Sequence, residues 1–353
     1  MTSIHDLDTP AVTVDLDVVE RNIRGAQEQL SRYGIGNRPH IKTHKIPALA
    51  KMQIEAGAIG ITCQKLGEAE IFADAAVADD ILLTFNVLGE AKAERLANLI
   101  RRLRRMAVVF DNETVARGLS DAGCRHDVDI RFLIECDTGG GRNGVQSPQE
   151  ALDLAQAAMR MPRMQFEGLM TYPNRVPGTR QFLERALQLF GGAGIPVPVI
   201  SGGGTPALAS VGELPMLTEH RAGTYIYNDV MMVSAGAATW DDCAMRVRAT
   251  VVSRPTDARA VLDTGSKVLT ADQKNVQGYG RIVEYPDAII TSLSEEHGVT
   301  DLSKCGARPQ VGEVVHVIPN HCCVVTNMMD EIYGVRNGAV EVVWPVAARG
   351  KVR

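Results

Sequence analysis

Ala11-Val12-Thr13-Val14-Asp15, followed by a helix-like stretch from Leu16 to Tyr33, opens the alternation that decides the fold. Short apolar runs recur along the chain, and each is followed by a helical pattern or by polar and glycine residues. His40 to Lys42 precedes a helical pattern at 46–56, and 59–62 precedes one at 67–76. Further runs lie at 81–84, 106–110, 130–134, 166–170 and 197–200, and Arg221-Ala-Gly223-Thr224-Tyr225 fits a last strand. About eight strand–helix units over roughly 220 residues is the period of a (β/α)8 barrel, with functional groups where the strands end. The expected fold is therefore α/β, with an N-terminal TIM-type barrel over residues 10–235. A doubly wound sheet is the alternative. No Gly-x-Gly-x-x-Gly follows the first strand, so its dinucleotide-binding form has nothing to recommend it.

After about Ala235 the runs turn β-like, at 244–253, 260–263, 314–318, 323–325 and 340–344, with Pro286-Asp287 and Asn337-Gly338 as turn signals. Residues 1–9 with 236–353 are expected to form a smaller β domain. The 353 residues are 45% hydrophobic and 22% charged, an ordinary soluble composition long enough for two domains. A net charge of −5 argues against nucleic acid or an anionic membrane as partner, which leaves small molecules. No apolar run reaches the roughly 20 residues that span a bilayer, and Met1-Thr-Ser-Ile-His-Asp6 lacks the marks of a signal peptide, so a cytoplasmic location is expected. The seven cysteines, an odd number, are scattered and suggest thiolate chemistry or metal ligation rather than a disulfide framework.

Four stretches carry candidate chemistry. Arg38-Pro39-His40-Ile41-Lys42-Thr43-His44-Lys45 reads as a short strand with Lys42 at its end, and a lysine crowded by cations is suited to Schiff-base formation. It reads equally as a basic surface loop. Ser201-Gly202-Gly203-Gly204-Thr205 follows the run at 197–200, and its glycines let successive N–H groups turn toward one anion, a phosphate above all. Cys136-Asp137-Thr138-Gly139-Gly140-Gly141-Arg142-Asn143-Gly144 offers a free backbone and the guanidinium fork of Arg142, or is a loop whose arginine is merely solvated. In Pro319-Asn320-His321-Cys322-Cys323, read as extended, His321 and Cys323 face the same way and suit a zinc-like ion; a buried histidine beside two structural cysteines is the other reading.

Taken together with Asp8 to Asp17 and Ser294-Glu-Glu-His-Gly298, these motifs occur in an order that resembles the D-threonine aldolase and D-serine dehydratase family of alanine-racemase-fold pyridoxal-phosphate (PLP) enzymes. The resemblance runs nearly end to end, and the Arg-Pro-His-x-Lys-Thr-His-Lys and His-x-Cys pieces are its most specific parts. It implies a barrel and a C-terminal β domain, paired as a homodimer with the active site at the interface. It implies that Lys42 holds PLP, that Arg142 lies near the cofactor's phenolic oxygen, and that Ser201, Gly203, Gly204 and Thr205 with Gly223, Thr224 and Tyr225 grip the phosphate. His321, with a catalytic role, and Cys323 would bind a divalent metal, zinc first and manganese or cobalt next, that coordinates the β-hydroxyl of a D-amino acid.

Two departures bear on the reaction. Aldolases of this group tend to carry Asp where this chain has Cys323, whereas the dehydratases carry Cys. The family also places a histidine after the strand corresponding to residues 166–170, where this chain reads Met170-Thr-Tyr-Pro-Asn-Arg175; Tyr172, counted among the cofactor contacts, or Arg175 takes that place. The leading expectation is a metal-assisted PLP lyase that cleaves D-threonine-like substrates to glycine and an aldehyde. Dehydration of D-serine or D-3-hydroxyaspartate to a keto acid and ammonia is the close alternative. An amino-acid racemase, with Tyr279 or Tyr285 as second base, and a non-catalytic PLP carrier are more distant.

Overall fold

A computed structural model describes residues 2–353, and the chain divides into two compact units. One unit, residues 25–42, 47–223 and 351–353, is built on eight parallel strands. Their spatial order is Gly36–Asn37, Glu219–Arg221, Val199–Gly203, Met164–Tyr172, Ile130–Asp137, Arg105–Phe110, Asp80–Leu83 and Ile61–Cys63. A parallel bridge between His40 and Thr62, whose N–H donates to the Pro39 carbonyl at 2.8 Å, closes the ring. The barrel is therefore complete, as the alternation predicts. Six helices, Pro47–Glu55, Leu66–Asp74, Glu90–Arg102, Glu113–His126, Pro148–Met159 and Gly178–Gly192, separate its strands. Local chemistry starts two of them: Asn112 accepts the Val115 N–H, and Ser147 accepts the Glu150 N–H with Pro148 in the first turn.

Because helices cover a parallel barrel outside and side chains fill it inside, its strands are continuous apolar runs. Ile81, Leu82 and Leu83 are all buried, as are residues 107–110 and 132–134. Leu82, Ala107, Val109, Leu133 and Met170 pack as one cluster. A second component is ionic. Arg38 lies between Glu219 (Nε to Oε2, 2.8 Å) and Asp80 (Nη1 to Oδ1, 2.7 Å), all three nearly inaccessible. Arg105 continues the chain from Asp80 to Glu167, and Arg131 joins Glu167. Such a network adds little net stability because desolvation offsets attraction, but losing one member leaves buried charge uncompensated.

The other unit comprises the residues up to Arg24, 43–46 and 224–350, and is mainly antiparallel. Its long strand Met245–Thr256 pairs with Arg259–Leu262, Val314–Ile318 and Ala11–Asp15. Here the structure corrects the sequence reading: Ala11–Asp15 is not the first barrel strand. It runs antiparallel to Met245–Thr256 and parallel to Glu331–Arg336. An alternation of apolar runs fixes order along the chain but not pairing partners, and the first barrel strand is the two-residue Gly36–Asn37, too short to leave a pattern. Val12 and Val14 are fully buried in the antiparallel unit, each stabilising it by roughly 1.5–3 kcal/mol.

Two more local readings change. His40 to Lys42 is not a strand: His40 makes one isolated bridge, and Ile41–Thr43 is a 3-10 turn. Residues 323–325 are not a strand either, because Cys322–Met328 is a helix. The β-branched Val-Val pair favours a strand locally, but the buried Asp229 carboxylate takes the Cys322 N–H at 3.1 Å and caps the helix from outside its own sequence.

Candidate functional site

In the barrel unit the run from Arg38 to Lys42 resolves into separate tasks. Arg38 is committed to the ionic network, whereas His40 is the group that meets Lys42 electrostatically. Burial pushes the His40 imidazole well below its ordinary range, and Lys42, Arg221 and Arg142 push the same way. His40 Nε2 lies 3.1 Å from Gln64 Oε1, while its buried Nδ1 has no protein partner. Three cations therefore act on one neutral ring. Lys45 and His44, expected to surround the lysine, lie beyond it in the antiparallel unit. Lys45 Nζ donates to the Ala348 carbonyl at 3.3 Å, and His44 Nδ1 accepts the Ile46 N–H at 3.1 Å.

The glycine run is strand rather than loop as far as Gly203. Ser201 Oγ donates to Glu219 Oε1 at 2.7 Å and accepts from Arg221 Nη1 at 2.6 Å, so the hydroxyl is tied into the buried network. The Gly203 N–H donates to Asn174 Oδ1 and the Gly204 N–H to the Arg221 carbonyl, at 3.2 and 2.9 Å. Only from Gly204, with φ of +109°, does the chain turn into the short helix Thr205–Leu208. His220 Nε2–H donates to the Gly204 carbonyl at 3.0 Å, and burial, with Arg221 beside it, pushes that imidazole down to about 4. Arg221 itself is pushed down to about 10 by burial against the pull of Glu219 and Glu135, and stays charged at neutral pH.

The second glycine loop folds around its own anion. Asp137 Oδ1 accepts the N–H groups of Gly139 and Gly140 at 2.9 and 2.6 Å, and Oδ2 that of Gly141 at 2.9 Å. Desolvation works upward on this carboxyl, but those three N–H donors hold it below the usual range. Arg142 reaches outward, its guanidinium 4.9 Å from the Tyr172 ring centroid and 3.7 Å from Glu135. Glu135 is buried, bonded by Asn143 Nδ2 at 2.7 Å; desolvation pushes it up to about 7 against Arg142 and Arg221. Arg175 is exposed, with its stem beside Gly139. Lys42, Arg142 and Tyr172 thus gather in the barrel unit with Arg221, Glu135 and Asn174, which sequence reasoning passed over. Arg221 stood two residues before the Gly223-Thr224 pair, the one signal available.

In the antiparallel unit His321 and Cys323 do meet, though not as neighbours on a strand. His321 caps the Cys322–Met328 helix in an extended conformation, and Cys323 lies in its first turn. His321 Nδ1 is 2.6 Å from Asp272 Oδ2, Cys323 Sγ is 3.3 Å from Thr43 Oγ1, and Thr224 Oγ1 is 4.0 Å from the same sulfur. Burial works downward on His321, yet Cys323, Asp272 and Asp229 together raise it to about 9. Cys323 is held well below the usual thiol range, by the neighbouring Cys322 first and then by His321 and Thr43. Tyr225 is buried beside Thr224 in the chain. Among the described residues no set of three or more His, Cys, Asp or Glu is gathered for a metal. Asp272 lies 49 residues from His321, and nothing local marks it.

These features match known proteins. A family model for the alanine racemase N-terminal domain matches residues 14–230, and one for a putative serine dehydratase domain matches 244–335. A D-threonine aldolase of an Arthrobacter species is 34% identical over 98% of this chain and 93% of its own length. The chain belongs to the D-threonine aldolase and D-serine dehydratase family. A second family member, the D-threo-3-hydroxyaspartate dehydratase of a Delftia species, is 31% identical over 90% of this chain and 91% of its own. A solved cysteine-to-alanine variant of such a dehydratase, described as metal-free, superposes with a TM-score of 0.87 at 27% identity, covering 98% and 99% of the two chains. The crystal structure of the Filomicrobium marinum D-threonine aldolase gives a TM-score of 0.91 at 32% identity, covering 99% and 97%. The fold is that of alanine racemase, and the protein is a PLP-dependent lyase of this family. No helix among the described residues is long and apolar enough to cross a membrane.

Proposed function

We propose that the protein cleaves D-threonine-like D-3-hydroxy-α-amino acids to glycine and an aldehyde, with PLP and a divalent metal as cofactors. The observation that carries the metal-assisted lyase in this reading, shared by cleavage and dehydration, is the His321–Cys323 pair braced by Asp272. Racemisation has no need of such a pair, and a single-domain PLP carrier has no second unit to hold it.

The residues present fit both groups. For PLP, the fit is the convergence of Lys42, Arg142 and Arg221 on the His40 ring, whose buried Nδ1 lacks a protein partner: a cationic surround suited to a phosphate ester and a phenolic oxygen. For the metal, the donor chemistry of one imidazole and one thiolate favours zinc and admits manganese or cobalt. In this reading Lys42 holds the cofactor through its amine, and Arg142, stacked on Tyr172, faces the phenolic oxygen. Thr205, Gly223 and Thr224 with Tyr225 grip the phosphate; Ser201, Gly203 and Gly204 stand behind them, since their polar groups are already engaged. Bound there, PLP supplies a sink for negative charge at Cα and the metal polarises the β-hydroxyl.

The chain's residues do the rest. Arg221 and Arg142 offset the charge of an anionic ligand. Neutral His40 leaves the amine of Lys42 without a further cation beside it. Cys322 first, then His321 and Thr43, move the Cys323 thiol toward the thiolate that a metal requires. His321 acts on the reacting hydroxyl through the metal that it helps to hold.

Dehydration to a keto acid and ammonia is the second reading, favoured by the cysteine at 323 and by the match of residues 244–335 to a putative serine dehydratase domain. Incubation with D-threonine, D-serine and D-3-hydroxyaspartate separates them. Glycine plus aldehyde supports cleavage, keto acid plus ammonia replaces it with dehydration, and L-isomer would make the protein a racemase. A chelator abolishes turnover and added zinc restores it; indifference to both returns His321 and Cys323 to a structural role. The proposal includes a homodimer, for which sedimentation equilibrium at twice the 38.1 kDa chain mass is the check.

A further inference from the structure

We infer that Asp272 is the positioning residue of the metal pair, holding His321 in the tautomer whose Nε2 lone pair is left for a divalent cation. The inference rests on the reading of His321 and Cys323 as metal ligands. His321 Nδ1 and Asp272 Oδ2 are 2.6 Å apart, and a carboxylate accepts. The Nδ1–H is therefore fixed on the Asp272 side. A cation that binds displaces the second ring proton, and with Nδ1–H held by Asp272 it is Nε2 that presents the lone pair.

The arm that brings Asp272 there is itself clamped to the segment it serves. Asn320, the residue before His321, donates from Nδ2 to the Asp272 carbonyl at 2.9 Å and to the Gly278 carbonyl at 2.8 Å. Asn320 is buried, whereas the His321 and Asp272 side chains are 24% and 37% exposed, so the pair stays open to an arriving ion. The Asp272 N–H is anchored in turn to Thr270 Oγ1 at 3.2 Å. Four bonds thus fix the loop and the ring together, and only one of them uses the carboxylate.

The same unit contains an internal control. His316 Nδ1 lies 2.7 Å from Glu284 Oε1, while Glu284 Oε2 accepts the His316 N–H at 2.9 Å, so this second histidine–carboxylate pair closes on itself.

The test is the zinc dissociation constant of the full-length, PLP-loaded protein, measured by competition with a chromogenic chelator. Asp272→Asn is expected to weaken zinc by about 10–100-fold, since an amide N–H facing Nδ1 moves the ring proton to Nε2. Asp272→Glu, which restores a carboxylate on a longer stem, is expected to recover part of that loss. Glu284→Gln is expected to bind as wild type. The visible band of the bound cofactor stays in place in all four proteins, and the Asn320 bonds preserve the loop in both Asp272 variants. Equal zinc affinity in Asp272→Asn and wild type overturns the inference alone. So does a loss of the same size in Glu284→Gln, or one that Asp272→Glu does not relieve. A wild-type protein that takes up no zinc overturns the ligand reading, and this inference with it.

Discussion

His40 and His220 in the barrel and His321 in the antiparallel unit are all largely withdrawn from water, yet their proton affinities move in opposite directions. Burial alone would make each a weaker base. In the barrel, Lys42, Arg142 and Arg221 add to that effect, and His220 falls to about 4. Around His321, Cys323, Asp272 and Asp229 overcome it and lift the ring to about 9. One region surrounds its histidines with cations, the other with anions. The neighbours, and not the depth of burial alone, decide the direction in which each histidine moves.

The strongest blow to that contrast is Lys42→Ala, which removes one barrel cation together with the proposed nucleophile. Loss of the visible absorbance of bound cofactor is expected, with kcat falling by at least the roughly 10²–10⁴ that a positioned reactive group supplies; a retained band would place the attachment elsewhere. Next comes Arg38→Met, which strands Glu219 and Asp80 as buried anions. Denaturant unfolding should show a loss of about 3–5 kcal/mol, and a neutral result would dissolve the network's role in the barrel.

Two smaller tests run on opposite pH slopes. His220, lowered from 6.5 to about 4, costs the folded state stability as pH falls through that interval, up to about 3 kcal/mol. His220→Gln should flatten the acid limb of a thermal-unfolding series over that interval. Glu135, raised from 4.5 to about 7, does the reverse: its contribution is full below 4.5 and is lost as pH rises through about 7, again by up to about 3 kcal/mol. Glu135→Gln should hold its melting temperature better than wild type over that rise. Parallel pH curves for variant and wild type would remove Glu135 from the set of groups that titrate near neutrality.

Much of the fold was legible in the sequence, because a parallel barrel needs unbroken apolar strands separated by helices, and those runs are visible. What was not legible is which sheet a strand joins: Val12 and Val14 are as apolar as any barrel strand and pair elsewhere. The sequence singles out Lys42, Arg142, His321 and Cys323 by residue type, and the structure sets Lys42 and Arg142 to act on His40 and brings His321 to Cys323. It was misleading where a motif's groups are engaged internally. The Ser201 hydroxyl and the Gly203 N–H have fixed partners within the barrel, which no count of glycines foretells. It was silent where the partner is distant in sequence, as with Asp272 for His321 and Asp229 for Cys322.

The self-capped loop at Asp137 has a consequence for inhibitor design. An anionic substituent aimed at Gly139, Gly140 and Gly141 meets amides already saturated and a carboxylate that repels it. The loop keeps its shape without a guest, so there is no ordering entropy for a drug to exploit. Selective compounds should instead present a flat acceptor to the exposed Arg142–Tyr172 stack.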